Sequence, residues 1–238
     1  MLNFPTYQSF TIEDEIVHHL MLQTAFIQSN GLLYGKMGIA VVFLKYGINC
    51  NNLIFIDFAE ELKNSICKKI NDKTPLDFAT GLLGVGWGIE YMIQHLCVNK
   101  YSDEVCKDID HRIMILNMKR IKDFSLESGI DGFLHYILIR LKSAKIRKTS
   151  SSFDDIFLKD IYSIIKFMEG KVISSSVKQS FISFIETDLL NYEPDISLFA
   201  TDIEIKDIED ILAAKLGLAE GLAGKLIKII EEKKSFQL

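Results

Sequence analysis

Three carboxylates, Glu127, Asp131 and Glu220, stand in glycine-rich turns directly ahead of apolar helical runs. Carboxylates in such places can do three kinds of work. Beside a helix N-terminus they offset the partial positive charge of unpaired backbone N–H groups, which is capping. Gathered from separate turns, they form a polar recognition surface for a basic or hydroxyl-rich ligand. Two carboxyl groups facing each other at about 5–9.5 Å are also the apparatus of glycoside hydrolysis, and Glu127 and Glu220 are the pair whose placement decides that reading. Tyr34, Lys36, Trp87 and Lys225 lie in or beside the corresponding turns. With the carboxylates they make up a candidate site for a peptide or small-molecule ligand.

Other chemistry has less support. The segment "HLCVNKYSDEVCKDIDH" collects His95, Cys97, Cys106 and His111. On one helix, positions 95 and 97 point well apart, and the spacing matches no standard zinc site. Structural cysteines and surface histidines are expected, with no metal and no cofactor. His18 and His19 are placed on the solvent side of an outer helix. No G-x-S-x-G nucleophile turn occurs.

The turns carrying these residues are copies of one another. "GLLYGKMGI" at 31–39 aligns with "GLLGVGWGI" at 81–89, pairing Gly31 with Gly81 and Gly38 with Gly88. "SLESGIDGF" at 125–133 and "GLAEGLAGK" at 217–225 follow, at steps of 50, 44 and 92 residues. The last step spans two periods, so a degenerate copy is expected near Gly170. A phosphate-binding loop would occur once and follow a strand. Recurrence every 46 residues or so, after helical segments, points to close backbone packing instead.

Amphipathic segments alternate with more apolar ones. "FDDIFLKDIYSIIKFM" puts Phe157, Ile161, Ile164, Ile165 and Met168 on one helical face, whereas "GIAVVFLKY" and "GFLHYILIRL" are apolar nearly all round. The pattern predicts an all-α chain, 1–238, forming a single domain of about five hairpins. Each pairs an outer helix with a more deeply buried inner one beginning near Gly38, Gly88, Gly132, Val177 or Gly224. "KIRKTSSS" and "NYEPD" read as loops.

The 238 residues are 48% hydrophobic and 25% charged, enough apolar material for a sizeable core. The net charge of −5 argues against nucleic acid or an anionic membrane as partner. Four cysteines without a C-x-x-C pair indicate a reduced compartment. "MLNFPTYQSFTIEDE" lacks the basic start and apolar core of a signal peptide, and no run is long enough to span a bilayer. A soluble, cytoplasmic protein is expected.

With its G-x-x-x-G-x-x-G turns ahead of inner helices, and "GLLYGKMGIA" and "GLLGVGWGIEYMIQ" above all, the chain resembles the lanthionine synthetase C-like family. That resemblance implies an α/α toroid, commonly of seven hairpins, with inner helices forming a barrel inside a ring of outer ones. It also implies a setting in ribosomal peptide modification, with a peptide-modifying enzyme as partner. The family's cyclases use zinc to activate a peptide cysteine for addition to a dehydrated serine or threonine. Their cysteine and histidine ligands fall one or two residues before the middle glycine of a turn. Here those places hold Leu33 and Tyr34, Leu83 and Gly84, Glu127 and Ser128, and Ala219 and Glu220. The expectation is therefore a toroid without the zinc site that acts as a peptide-binding or accessory protein. A glycosidase-type hydrolase and a divergent zinc cyclase are the alternatives.

Overall fold

The computed structural model describes residues 10–96, 102–166, 173 and 175–235. Ten α-helices and no strand occur among the described residues. The order is α1 (Ile12–Gln23), α2 (Lys36–Asn49), α3 (Leu53–Cys67), α4 (Leu82–Leu96), α5 (Ser102–Met114), α6 (Ile130–Arg147), α7 (Asp155–Lys166), α8 (Ser175–Thr187), α9 (Ile208–Ala213) and α10 (Leu222–Ser235). The chain is all-helical, as the periodicity predicts. Gly170, Cys97 and Met168 lie outside the described residues.

Odd- and even-numbered helices begin differently, and the difference shows their roles. α1 opens on a capping box: Asp14 donates its N–H to Thr11 Oγ1 at 3.2 Å, and Thr11 N–H donates back to Asp14 Oδ2 at 2.9 Å. Asn52 caps α3 through Ile54 N–H at 3.0 Å. By contrast, α2 and α6 have glycine N-caps, Gly35 and Gly129, without a side-chain bond. Their first N–H groups are satisfied by the turn itself. Lys36, Leu82, Ile130 and Leu222 each donate to the carbonyl seven residues earlier, on Ser29, Pro75, Asp123 and Lys215, at 3.0, 2.8, 3.0 and 2.9 Å.

This shared hydrogen bond corrects the repeat register. Gly35, Gly81, Gly129 and Gly221 are equivalent, as are Gly38, Gly84, Gly132 and Gly224. A Cβ on each of the latter would stand 2.1, 2.1, 2.4 and 2.2 Å from the carbonyl oxygen of Leu32, Phe78, Leu126 and Leu218. Only glycine lets the helix sit that close to its own turn. The second copy is thus "DFATGLLG", 77–84, and α4 begins at Leu82, not near Gly88. "GLLGVGWG" supplies glycines at both offsets, which is how the four-residue displacement arises.

The even-numbered helices α10, α2, α4, α6 and α8 are packed in that order, each on the next. α2, α4 and α6 are buried nearly throughout, and α10 is more buried than α9. The fourth hairpin departs from expectation. Among the described side chains α8 buries Val177, Ser180 and Phe181, no more than α7 buries with Phe157, Leu158, Ile161 and Ile165. Among the described residues α8 packs on α6 and α7 but has no extensive contact with α10, so one of its flanks lacks a helical neighbour.

The connection from α8 to α9 ties these elements together. Its Lys142 bond fixes the Tyr192 carbonyl to α6 at 3.0 Å, and Lys228 of α10 holds the Ser197 carbonyl at 3.0 Å. Tyr192, Ile196 and Phe199 are buried. Phe199 meets Phe78, Trp87 and His135 edge-on at 5.3, 5.1 and 5.0 Å. Trp87 Nε1–H donates to the Tyr192 hydroxyl at 2.9 Å, leaving that O–H to donate to His135 Nδ1, also at 2.9 Å. A second buried polar group joins α4, α5 and α6: Arg140 pairs with Glu90 and Asp110, and Tyr136 donates to Asp110 at 2.7 Å.

Candidate functional site

The four glycine turns form one continuous strip through backbone bonds. Leu218 and Ala219 N–H donate to the Leu33 carbonyl at 2.8 and 3.0 Å, and Leu33 N–H donates to Ala79 at 2.9 Å. Phe78 and Ala79 N–H donate to the Glu127 carbonyl at 2.8 and 3.0 Å. Leu33, Ala79, Glu127 and Ala219 occupy the same repeat position, two before the middle glycine. The next position, held by Tyr34, Thr80, Ser128 and Glu220, is more exposed than the buried glycine that follows it in all four turns and is where side chains vary.

Three predicted site residues converge there. The half-buried Tyr34 donates its hydroxyl to Glu127 Oε1 at 2.5 Å, across residues that lie in different turns. That bond, partial burial and the charges of Glu127 and Glu220 push the Tyr34 phenol up to about 12. Glu220 holds Lys215 at 2.7 Å. Tyr34, Glu220 and Lys215 line a cleft of about 290 Å³ with Ile27, Leu216 and Gly217. Lys215 escaped the sequence reading. It stands two residues before the glycine that opens the copy, and only its turn carbonyl marks it as part of the repeat.

The remaining four predicted residues lie elsewhere. Trp87 is fully buried and bonded to Tyr192, because in the true register it falls inside α4 and not in the turn. Lys36 is buried and donates to the Ala25 carbonyl at 3.3 Å, on the side of α1; burial pulls its pKa down. Asp131 is buried in the first turn of α6; burial raises the pKa of Tyr192, and the Asp131 charge adds to it. Lys225 pairs with Asp202 at 2.9 Å.

The turn carbonyls already satisfy the first N–H of α2, α4, α6 and α10, so hydrogen-bonded capping does not account for Glu127 and Glu220. Glu127 is engaged by Tyr34 and Glu220 by Lys215. In the corrected register the second turn offers Ala79 and Thr80 at the positions where the resembled cyclases place ligands. Thr80 is held by Asp77 through its N–H at 2.6 Å and its hydroxyl at 3.1 Å. Among the described residues no three His, Cys, Asp or Glu side chains are grouped to hold a metal ion. Cys106 is buried and His111 exposed. No described helix is long and apolar enough to cross a membrane. Comparison with models of known protein families gives no match, and no curated protein matches the chain.

Proposed function

We propose that the chain is a lanthionine synthetase C-like α/α toroid that binds peptide at its turn face, as an accessory protein in ribosomal peptide modification. The observation that carries this reading is the convergence of three turns on Tyr34, which lines a small cleft together with Glu220 and donates its hydroxyl to Glu127. These are the repeat positions at which the resembled cyclases hold zinc, and here they carry a phenol and carboxylates. Such a surface accepts hydrogen bonds from lysine, arginine or hydroxyl groups of a peptide. Packing of the even-numbered helices in series, with the glycine turns aligned at one end, supports the toroid. The Tyr192–Phe199 segment would complete the ring where α8 and α10 make no extensive contact among the described residues. Hydrolysis and zinc chemistry gain no support, since both carboxylates are exposed and engaged and the turn positions hold neither cysteine nor histidine.

The test is fluorescence anisotropy with a labelled tetralysine peptide and a labelled serine-rich neutral peptide. Wild-type protein should bind the basic peptide, and E127Q/E220Q should weaken it by roughly tenfold or more, the effect of losing a charge-assisted bond. Unchanged affinity with a melting temperature lowered by the loss of about 0.3–1 kcal/mol per carboxylate would mean dipole stabilisation alone.

A further inference from the structure

The outer helices beside the turn cleft present a second surface. α9 packs on α1, and the cleft lies between the stretches of chain that leave them, at Ile27 and at Leu216. Within α9 only Ile211 is buried. Ile208 and Leu212, one turn apart and so on one side of that helix, are each more than half exposed. Leu22, near the end of α1, is 71% exposed, and Phe26, next to Ile27, is 74% exposed. Single exposed apolar side chains are ordinary on a protein surface. Two such pairs on two elements packed together, beside a cleft, mark an interaction surface.

Charge gives the sign of the partner. α1, α9 and the α9 cap residue carry six carboxylates, on Glu13, Asp14, Glu15, Asp207, Glu209 and Asp210, and no lysine or arginine. The cations near them come from neighbouring elements, and three are matched one to one. Lys233 of α10 pairs with Glu13, Lys206 with Glu204 at 3.1 Å and Lys215 with Glu220 at 2.7 Å. Lys36 reaches the Ala25 carbonyl but is buried. With these neighbours counted, eight carboxylates stand against four lysines. Asp207 accepts the N–H groups of Glu209 and Asp210 at 3.0 Å, and Asp210 that of Lys206 at 2.8 Å. These bonds hold the two carboxylates in place and leave their charge unneutralised. Glu209 is exposed and has no cationic partner among the described residues.

We infer that this outer face docks a basic amphipathic segment of the peptide, one that carries lysine or arginine among aliphatic residues. The aliphatic side chains cover Leu22, Phe26, Ile208 and Leu212, while the cations stand beside Glu209 and the carboxylates around it. The same charge turns other occupants away. A second copy meeting this face with its own would bring like carboxylates together, and nucleic acid or an anionic bilayer would be repelled in the same way. The inference rests on the peptide-binding reading and extends it, from a basic group at the cleft to an apolar requirement along α1 and α9.

The test is fluorescence anisotropy on the full chain with three labelled octapeptides. They are Leu-Lys-Lys-Leu-Leu-Lys-Lys-Leu and its counterparts with serine for leucine and with glutamate for lysine. The leucine–lysine peptide should bind about tenfold tighter than the serine–lysine one, and the glutamate peptide should not bind. I208S/L212S should remove the tenfold advantage and leave the serine–lysine affinity unchanged. E209K should weaken both lysine peptides several-fold, and because Glu209 is exposed it remains informative if I208S/L212S disturbs α9. Equal affinity for the two lysine peptides, or a leucine advantage that survives I208S/L212S, would overturn this inference. The effect of E127Q/E220Q on tetralysine would in that case still support the turn-face reading. Binding of no lysine peptide, tetralysine included, would sink both. Self-association abolished by I208S/L212S, seen by sedimentation, would put a second copy on this face and defeat the inference as well.

Discussion

Replacing Gly84 and Gly88 separately by alanine separates the two possible repeat registers. An alanine Cβ at 84 would stand 2.1 Å from the Phe78 carbonyl oxygen and 2.7 Å from Leu32 Cβ. Ordinary carbon–oxygen contact is about 3.3 Å or more, so something must move by roughly 1 Å. Leu32 and Phe78 are fully buried, and Phe78 N–H is tied to the Glu127 carbonyl at 2.8 Å, so retreat is not free. Overpacking of this kind costs about 1–3 kcal/mol, and loosening the turn bond about 1 kcal/mol more. The helix propensity gained on leaving glycine returns about 1 kcal/mol. The net is a loss of about 1–3 kcal/mol. At about 2–4 °C per kcal/mol for a chain of this size, melting should fall by about 2–12 °C.

At Gly88 the added carbon meets the Met37 side chain, Cγ at 2.4 Å and Sδ at 2.7 Å. Met37 is fully buried, so the overpacking still costs about 1–2 kcal/mol, but a methionine side chain yields more readily than a turn carbonyl. After the propensity gain of about 1 kcal/mol, melting should fall by no more than about 4 °C and by less than in G84A. Calorimetry on the two variants checks this. Equal destabilisation, or a larger loss for G88A, would refute the structural register and restore the alignment of Gly88 with Gly38.

Ultraviolet titration should show E127Q moving one phenol, Tyr34, from near pH 12 back toward 10, while Tyr46, Tyr91, Tyr136 and Tyr192, held up chiefly by burial, ionise later in both proteins. Because the folded pKa of Tyr34 is raised, its contribution to stability is complete below pH 10 and is lost as pH climbs through about 12. R140M should cost about 3–5 kcal/mol in denaturant unfolding, since it strands the buried Glu90 and Asp110 carboxylates. Burial holds His135 down to about 3, so the unfolded chain takes up its proton first and stability falls as pH drops from about 6.5 toward 3. H135N should flatten that part of the pH–stability curve, as acid unfolding followed by circular dichroism would show.

The period of the fold was legible because glycine is the one residue whose presence a tight helix–turn approach dictates, and four turns demand it at the same places. The register was harder to read for the same reason. Gly81, Gly84, Gly86 and Gly88 offer more glycines than the turn needs, and matching glycine to glycine rewards the wrong offset. The middle glycine breaks the tie, since Gly81 stands three residues before Gly84 but Val85 stands three before Gly88. Leu32, Phe78, Leu126 and Leu218 recur in apolar-x-x-G-x-x-G, because their carbonyls lie under the helix while their side chains pack inward. Tyr34, Glu127 and Glu220 could be assembled from sequence because backbone bonds join turn to turn and carry the adjacent side chains with them. Trp87 was misplaced with the register. Its partner Tyr192 lies 105 residues away in a connection with no repeat signal, so nothing local could announce the contact. The ion group around Arg140 left only a faint trace, single charges in "GIEYM", "DIDH" and "LIRL", which look like solvent-facing positions until three helices bring them together. What a repeat dictates to every copy was readable from the chain, and what one copy does alone was not.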